Sequence, residues 1–393
     1  MNRNLVTAWI LCGLVFSQLH IMQSAVAADD DAAHAKSLGI ESQVIISGLD
    51  HPFGLAVQPG SGIRDVFVSN SGAGEILRID PKKLNSSRVA VSGFTLAPFS
   101  KHYPIPVGPL GLGFVDQRTL LVGDAGGVSS ESASKSKAAN TSFSKLRTFS
   151  IPADGKTLEA DAAKHTSSVK FSGNLKPDAQ VIYSLAVSPG AVYLSTGWDD
   201  SAGTVLRASN SGSAVRDLKR LVATKEELGL PAPLGIAVSK RGELLVGQAG
   251  AIGDKRDSRL AFYHGTTAQL LLNLETGLSD ITGLAYNPDP TSGRLYAIDA
   301  AWGRPSEGGL YRLDAVLVDG KQKIKAIKLL SLEHPTAMAF ANNGTLYVTT
   351  LGPLSQAVSS DPTGKTEGTT PDPAVASEKR AKSGSVIKIT GAL

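Results

Sequence analysis

One short phrase recurs six times along this chain of 393 residues, and it constrains the fold more than any other feature. The phrase is a short apolar strand opening on a small residue, a tight turn, a second apolar strand, a variable loop and a third strand. Its opening strands read Gly54-Leu55-Ala56-Val57, Gly111-Leu112-Gly113-Phe114, Ser184-Leu185-Ala186-Val187, Gly235-Ile236-Ala237-Val238, Gly283-Leu284-Ala285-Tyr286 and Ala337-Met338-Ala339-Phe340. Small residues at alternate positions let backbones crowd around a narrow axis. The large residues between them point the other way and fill the space between neighbouring units. Turns such as Gln58-Pro59-Gly60, Ser188-Pro189-Gly190 and Asn342-Asn343-Gly344 follow, where Pro, Gly and Asn supply the backbone angles.

Second strands are predicted at Val66-Phe67-Val68, Leu120-Leu121-Val122, Val192-Tyr193-Leu194, Leu244-Leu245-Val246, Leu295-Tyr296-Ala297 and Leu346-Tyr347-Val348. Third strands are predicted near Ile76, Leu146, Val205, Leu260, Leu310 and Val386. An outer strand follows five copies, around 89–94, 169–171, 218–222, 270–274 and 324–330. The sixth copy lacks one, and a spare strand, Gln43-Val44-Ile45-Ile46, precedes the first copy. Repeats of this length belong to solenoids, arrays or propellers. A displaced strand that completes the last unit closes a ring and removes exposed sheet edges. The expectation is an all-β, six-bladed β-propeller spanning 42–393, with four antiparallel strands per blade.

The first 27 residues read as an export signal: Arg3, a short apolar stretch from Leu5 to Phe16, and Ala25-Val26-Ala27 as a cleavage site. The expected destination is periplasmic or extracellular. Gln18, His20 and Gln23 interrupt the apolar stretch, which falls short of the roughly 20 apolar residues of a membrane span. No later stretch is apolar enough to cross a bilayer. Cys12, the only cysteine, lies inside this segment, so core packing and not a disulfide holds the mature chain. Residues 28–41 read as a polar leader. Residues 351–384, rich in Ser, Thr, Pro, Lys and Asp, read as a flexible loop within the last blade, as do 127–144 within the second. The net charge of +4 is scattered over short basic runs, which argues against nucleic acid as a partner.

The phrase resembles that of the NHL-repeat and gluconolactonase-like group of six-bladed propellers. The residues that carry the likeness are Pro52-Phe53-Gly54-Leu55-Ala56-Val57, Val66-Phe67-Val68-Ser69-Asn70 and Gly74-Glu75-Ile76-Leu77-Arg78-Ile79, with variants at 233–238 and 281–285. The resemblance implies the fold across nearly the whole mature chain. Lactonases of that group are similar in holding a divalent metal with a Glu ahead of the first blade and Asn or Asp immediately before other inner strands. Here those positions hold Phe53, Leu110, Tyr183, Leu234, Thr282 and Thr336, none of them a carboxylate or carboxamide, so that metal centre is not expected. The segments 111–114 and 121–124 also resemble a blade of the quinone-dependent sugar dehydrogenases. The His expected ahead of that strand is replaced by Val107-Gly108-Pro109-Leu110. No cofactor is expected on these grounds.

Chain direction places the loops before inner strands, and those between second and third strands, on one face. The long insertions gather there, the segment 151–166 being the exception, and such clustering marks the binding side of repeat proteins. Trp198 beside Asp199, and Trp302 beside Asp299 and Arg304, fall in these loops. An aromatic face with polar neighbours suits a sugar ring or another amphipathic ligand, although a Trp also packs under its own loop. His51 and His334 each precede a Pro at the start of an inner strand, in adjacent blades one and six. They offer an acid–base pair or shared ligands, or simply bond to backbone. Asp280 and Glu333 stand at similar places, and Tyr183 directly precedes its inner strand. The leading expectation is a propeller that binds a small molecule, glycan or protein on its loop-rich face. The competing one is a hydrolase, lyase or oxidoreductase acting on a carbohydrate-like substrate at the central mouth.

Overall fold

A computed structural model describes residues 35, 37–99, 105–126, 144–168, 181–197, 203–212, 215–251, 255–353 and 382–393. The expected export signal, most of the expected leader, Trp198, Asp199 and residues 127–143 and 354–381 lie outside the described residues. Six sheets are arranged in a ring. Their inner strands are Pro52–Val57, Pro109–Phe114, Ile182–Ser188, Pro233–Val238, Ile281–Tyr286 and Pro335–Phe340. Each touches the next, and the sixth touches the first. Second, third and outer strands follow outward in antiparallel order.

The ring closes as the repeat pattern predicts. The strand Ile40–Leu49 pairs antiparallel with Gly384–Gly391, with Gln43 opposite Lys388 and Val44 opposite Ile387. It starts at Ile40, so two residues assigned to the leader, Ile40 and Glu41, are sheet. Ile40 is buried against Leu310, Leu329 and Ile389, which explains its place in the strand. Six apolar clusters lie between consecutive blades, including one that joins Ile45 and Val386 of blade six to Leu55 and Val68 of blade one. Burial of these side chains is the main stabilising term, at about 25 cal/mol per Å² of apolar surface.

Two segments depart from the expectation. The insertion at 151–166 is not a plain loop. Leu158–Glu159 adds a fifth strand, parallel, to the outer strand Ser87–Ser92 of blade one. Thr157 Oγ1 donates to the carbonyl of Val89 at 2.8 Å, and Leu158 packs on the cluster between blades one and two. The outer strand of blade two is His165–Ser168, earlier than the 169–171 predicted from apolar residues. Those three residues lie outside the described ones.

Candidate functional site

The loop-rich face is organised by one repeated hydrogen bond. The main-chain N–H groups of Ser71, Ala125, Ala249, Ala300 and Leu351 donate to the carbonyls of His51, Gly108, Ala232, Asp280 and His334 at 2.9–3.3 Å. Each acceptor immediately precedes an inner strand. The bond makes these positions equivalent, and it places Asp280, His334 and His51 on the consecutive blades five, six and one. His51 and His334 take left-handed backbone angles, with φ of 48° and 46°. Non-glycine residues hold such angles at a cost, and they gather at functional sites.

Inside this ring the mouth is closed. Phe53, Leu110, Tyr183 and Leu234 project from four blades and are buried with Phe99, Val107 and Leu351. Phe99 reaches the cluster from a small hairpin, Ala97–Pro98 with Pro106–Val107, and its ring lies 4.8 Å from that of Phe53. The Tyr183 hydroxyl crosses the axis from blade three and donates to the Thr336 carbonyl of blade six at 3.0 Å. Burial holds that phenol far above its ordinary pKa. The two threonines of the ring are also engaged. Thr282 donates to the Pro335 carbonyl at 2.7 Å and Thr336 to the Pro52 carbonyl at 2.6 Å. Beneath this floor the axis keeps a cavity of ≈ 60 Å³, lined by Tyr183, Thr282, Thr336 and other inner-strand residues such as Leu112 and Met338. That volume has room for a few waters.

Blade five supplies the polar part of the rim. Asp299 ends the second strand, and its two oxygens accept main-chain N–H groups of Ser279 (2.9 Å), Asp280 (2.7 Å) and Ala301 (3.1 Å). It therefore shapes the loops and has little capacity left for a ligand. Asp280, fully buried, accepts from the Trp302 N–H at 2.8 Å. Burial, helped by the fields of Asp299 and Asp257 and opposed by the Trp302 bond, pushes the Asp280 carboxyl up to about 8. Trp302 stacks on His334 of blade six, with centroids 5.1 Å apart and planes 18° from parallel. His334 donates from Nδ1 to the Gly352 carbonyl at 3.1 Å, which leaves Nε2 as the acceptor nitrogen. Burial lowers its pKa and keeps the ring neutral at pH 7. Arg304 bonds to Glu307 at 3.2 Å, and Arg256 grips the same carboxylate through two nitrogens.

Blade one carries the other candidate group. Nδ1 of His51 lies 2.6 Å from Oδ1 of Asp50, and both side chains remain partly open, at 17% and 24%. The pair is held on several sides. The Asp50 N–H donates to Oδ1 of Asn70 at 2.7 Å, and the Gly72 N–H donates to the Asp50 carbonyl at 2.9 Å. A Cβ at Gly72 would collide with the Asp50 carboxylate and sit 3.0 Å from the His51 ring, so only glycine leaves room for the pair. Sequence reasoning found His51 through its Pro but missed Asp50 and Gly72. Both read as ordinary turn residues until the second strand brings Gly72 alongside. Among the described residues no three His, Cys, Asp or Glu side chains gather in a group that could hold a metal ion.

No family model matches the sequence, and no curated protein matches it. Solved structures match by shape. A glucose dehydrogenase has a TM-score of 0.55 at 14% identity, with 90% of this chain and 100% of that chain covered. The PQQ-bound aldose sugar dehydrogenase of Streptomyces coelicolor gives 0.52 at 15% identity, covering 90% and 99%. A luciferin-regenerating enzyme gives 0.51 at 11%, covering 90% and 96%. At such identities the likeness speaks to architecture alone, and it agrees with the sheets traced above: this chain is built as a six-bladed β-propeller.

Proposed function

We propose that this protein is an exported binding propeller that captures a small, partly apolar ring compound, such as a sugar or glycan end, on its loop-rich face. The observation that carries the reading is the Trp302–His334 stack standing beside a closed apolar floor. Trp302, half-buried and held in place by its stack on the buried His334, presents a preordered aromatic surface, and a ligand settling on it loses little rotamer freedom from the protein side. The closed mouth favours a ligand above the axis over one within it. Thermal-shift screening and a glycan array against the full chain test the proposal. Trp302→Ala and His334→Ala should each weaken capture by about tenfold or more, and unchanged capture in both would remove the platform. Export is tested by cell fractionation and by sequencing the mature N-terminus, expected near Ala28.

A second reading has one observation in its favour, the Asp50–His51 pair. A carboxylate on Nδ1 fixes the tautomer and leaves Nε2 basic, the arrangement of a general base. Sugar dehydrogenases share the fold, so an oxidoreductase or hydrolase acting on a carbohydrate-like substrate is the form this reading takes. Its assay is a panel of aldoses and lactones against wild type and His51→Gln. Loss of turnover in His51→Gln supports it, and no turnover by wild type ends it. Pyrroloquinoline quinone, the group bound in the Streptomyces neighbour, carries three carboxylates. The described mouth offers it an apolar floor, with Arg256 and Arg304 both on Glu307. That is a poor match.

A further inference from the structure

The outer hairpins of blades four and five gather five of the ten large apolar side chains that lie exposed among the described residues: Leu270, Leu271, Leu272, Leu317 and Val318. Exposed apolar groups collected in one region mark interaction surfaces. The third strand of blade five, Gly309–Val318, starts opposite Asp299 on the loop-rich face and runs away from it. Leu270 likewise pairs with Tyr263, at the far end from the Arg259–Glu275 pair. Both groups therefore stand at the opposite end of the blades from Trp302. The second strand of blade five covers the third only as far as Leu313, so 314–318 and 321–325 form a two-stranded ribbon beyond it, roughly 16 Å long. Asp319 and Gly320 close the ribbon with φ of 51° and 71°, both positive, as a type I′ turn requires. Side chains alternate between its two faces. Leu317, 78% exposed, follows the buried Leu313 on the face turned to blade four. The other face carries Val318 with Lys321, Lys323 and Lys325, all three lysines exposed. Asp314, opposite Lys325, accepts two hydrogen bonds from Arg312, and past it Asp319 is the one carboxylate of the ribbon. Residues 264–274 of blade four include no carboxylate.

We propose that this edge of the ring docks on an anionic lipid bilayer, with Leu317 and Val318 entering the interface and Lys321, Lys323 and Lys325 meeting the headgroups. An apolar tip with a basic flank binds such surfaces because buried apolar area and attraction to anionic lipid add. The ribbon is held for this at its base, where Ile324 and Ala326 pack on the cluster between blades four and five. A second copy of this chain fits less well, since paired ribbons would set lysine against lysine. An acidic protein would use the lysines and leave the leucines wet. The inference stands whether or not the loop-rich face binds a ring compound, because the two surfaces lie at opposite ends of the blades.

The test sediments the full chain with vesicles of phosphatidylcholine alone and with vesicles containing about 30% phosphatidylglycerol. The chain should bind the anionic vesicles in preference, and raising NaCl from about 0.1 to 0.5 M should release it. Leu317→Ser combined with Val318→Ser should weaken binding by about tenfold or more. Lys321→Ser and Lys323→Ser should each weaken it about fivefold. All four positions are exposed, and circular dichroism verifies the fold of each variant. Absence of binding at about 5 mM lipid overturns the proposal. So does binding that the lysine variants weaken and the serine pair leaves unchanged, the result expected of a polyanion or acidic protein. A dimer in light scattering that the serine pair dissociates would put a second copy on the ribbon and overturn it as well.

Discussion

Asp280 buries a carboxyl group that accepts one N–H, whereas Asp299, nineteen residues on, accepts three. Folding raises the Asp280 pKa from the ordinary 3.8 to about 8, chiefly by burial, with Asp257 and Asp299 adding repulsion. The native state therefore holds this proton more tightly than the unfolded chain. Its contribution to stability is full below 3.8 and is lost as pH rises through about 8. Wild type should lose on the order of a few kcal/mol between those limits relative to Asp280→Asn. Urea denaturation at a series of pH values reads the difference, and parallel curves would remove Asp280 as its source. Gly72 makes a second point at this scale. Gly72→Ala forces its Cβ against Asp50 and should cost about 1–3 kcal/mol. It should also displace the His51 ring, read from its imidazole NMR signals. His51 and His334 were legible in the sequence because a following Pro marks each of them. Trp302 was legible only as a loop aromatic. Its stacking on His334 depends on the register between two blades, which no local pattern encodes.

At the scale of elements, four of the six blade junctions are made in two ways, and the choice follows from two positions. Where the second strand ends in Ser-polar, as at Ser69 and Ser195, the hydroxyl donates to the carbonyl of Leu110 or Leu234, just after the Pro that opens the next inner strand. Where that position is Gly123 or Gly247, the next inner strand opens on Ile182 or Ile281, whose side chain fills the gap. A Cβ at Gly247 would lie 2.6 Å from Cγ2 of Ile281. Gly247→Ala should cost about 1–3 kcal/mol, and Ile281→Ala about 2–5 kcal/mol. The double variant should lose less than the sum by about 1 kcal/mol or more, measured by chemical denaturation. Additive losses would contradict this packing. The inner strands were legible because small residues and prolines recur in them. Leu158–Glu159 was not, since a strand of two residues has no period to detect.

For the whole molecule, closure rests on backbone pairing and on a core shared by residues far apart in sequence. Ile45 is 1% exposed and packs with Tyr347, Val386, Val66 and Val68. Ile45→Ala should therefore cost about 2–5 kcal/mol in denaturant midpoints, whereas Val44→Ala, at a position 51% exposed, should change stability by about 0.5 kcal/mol or less. Equal effects would mean that the strand does not seal the ring. The architecture was readable at this scale because its period is long and its apolar positions are many. The ligand was not, because six-bladed rings serve many chemistries and only side chains on loops distinguish them.

Synthesis order gives the closing strand one more meaning. Val44 and Ile46 are made more than three hundred residues before Ile387 and Val386, opposite which they come to rest. Until the final hairpin arrives, the nascent polypeptide carries an unmated sticky ribbon at its front and an unfinished sheet at its back. Contacts of such long separation form slowly, and unpaired edges invite aggregation meanwhile. A cell making this protein must shelter that ribbon for nearly the entire translation of the gene.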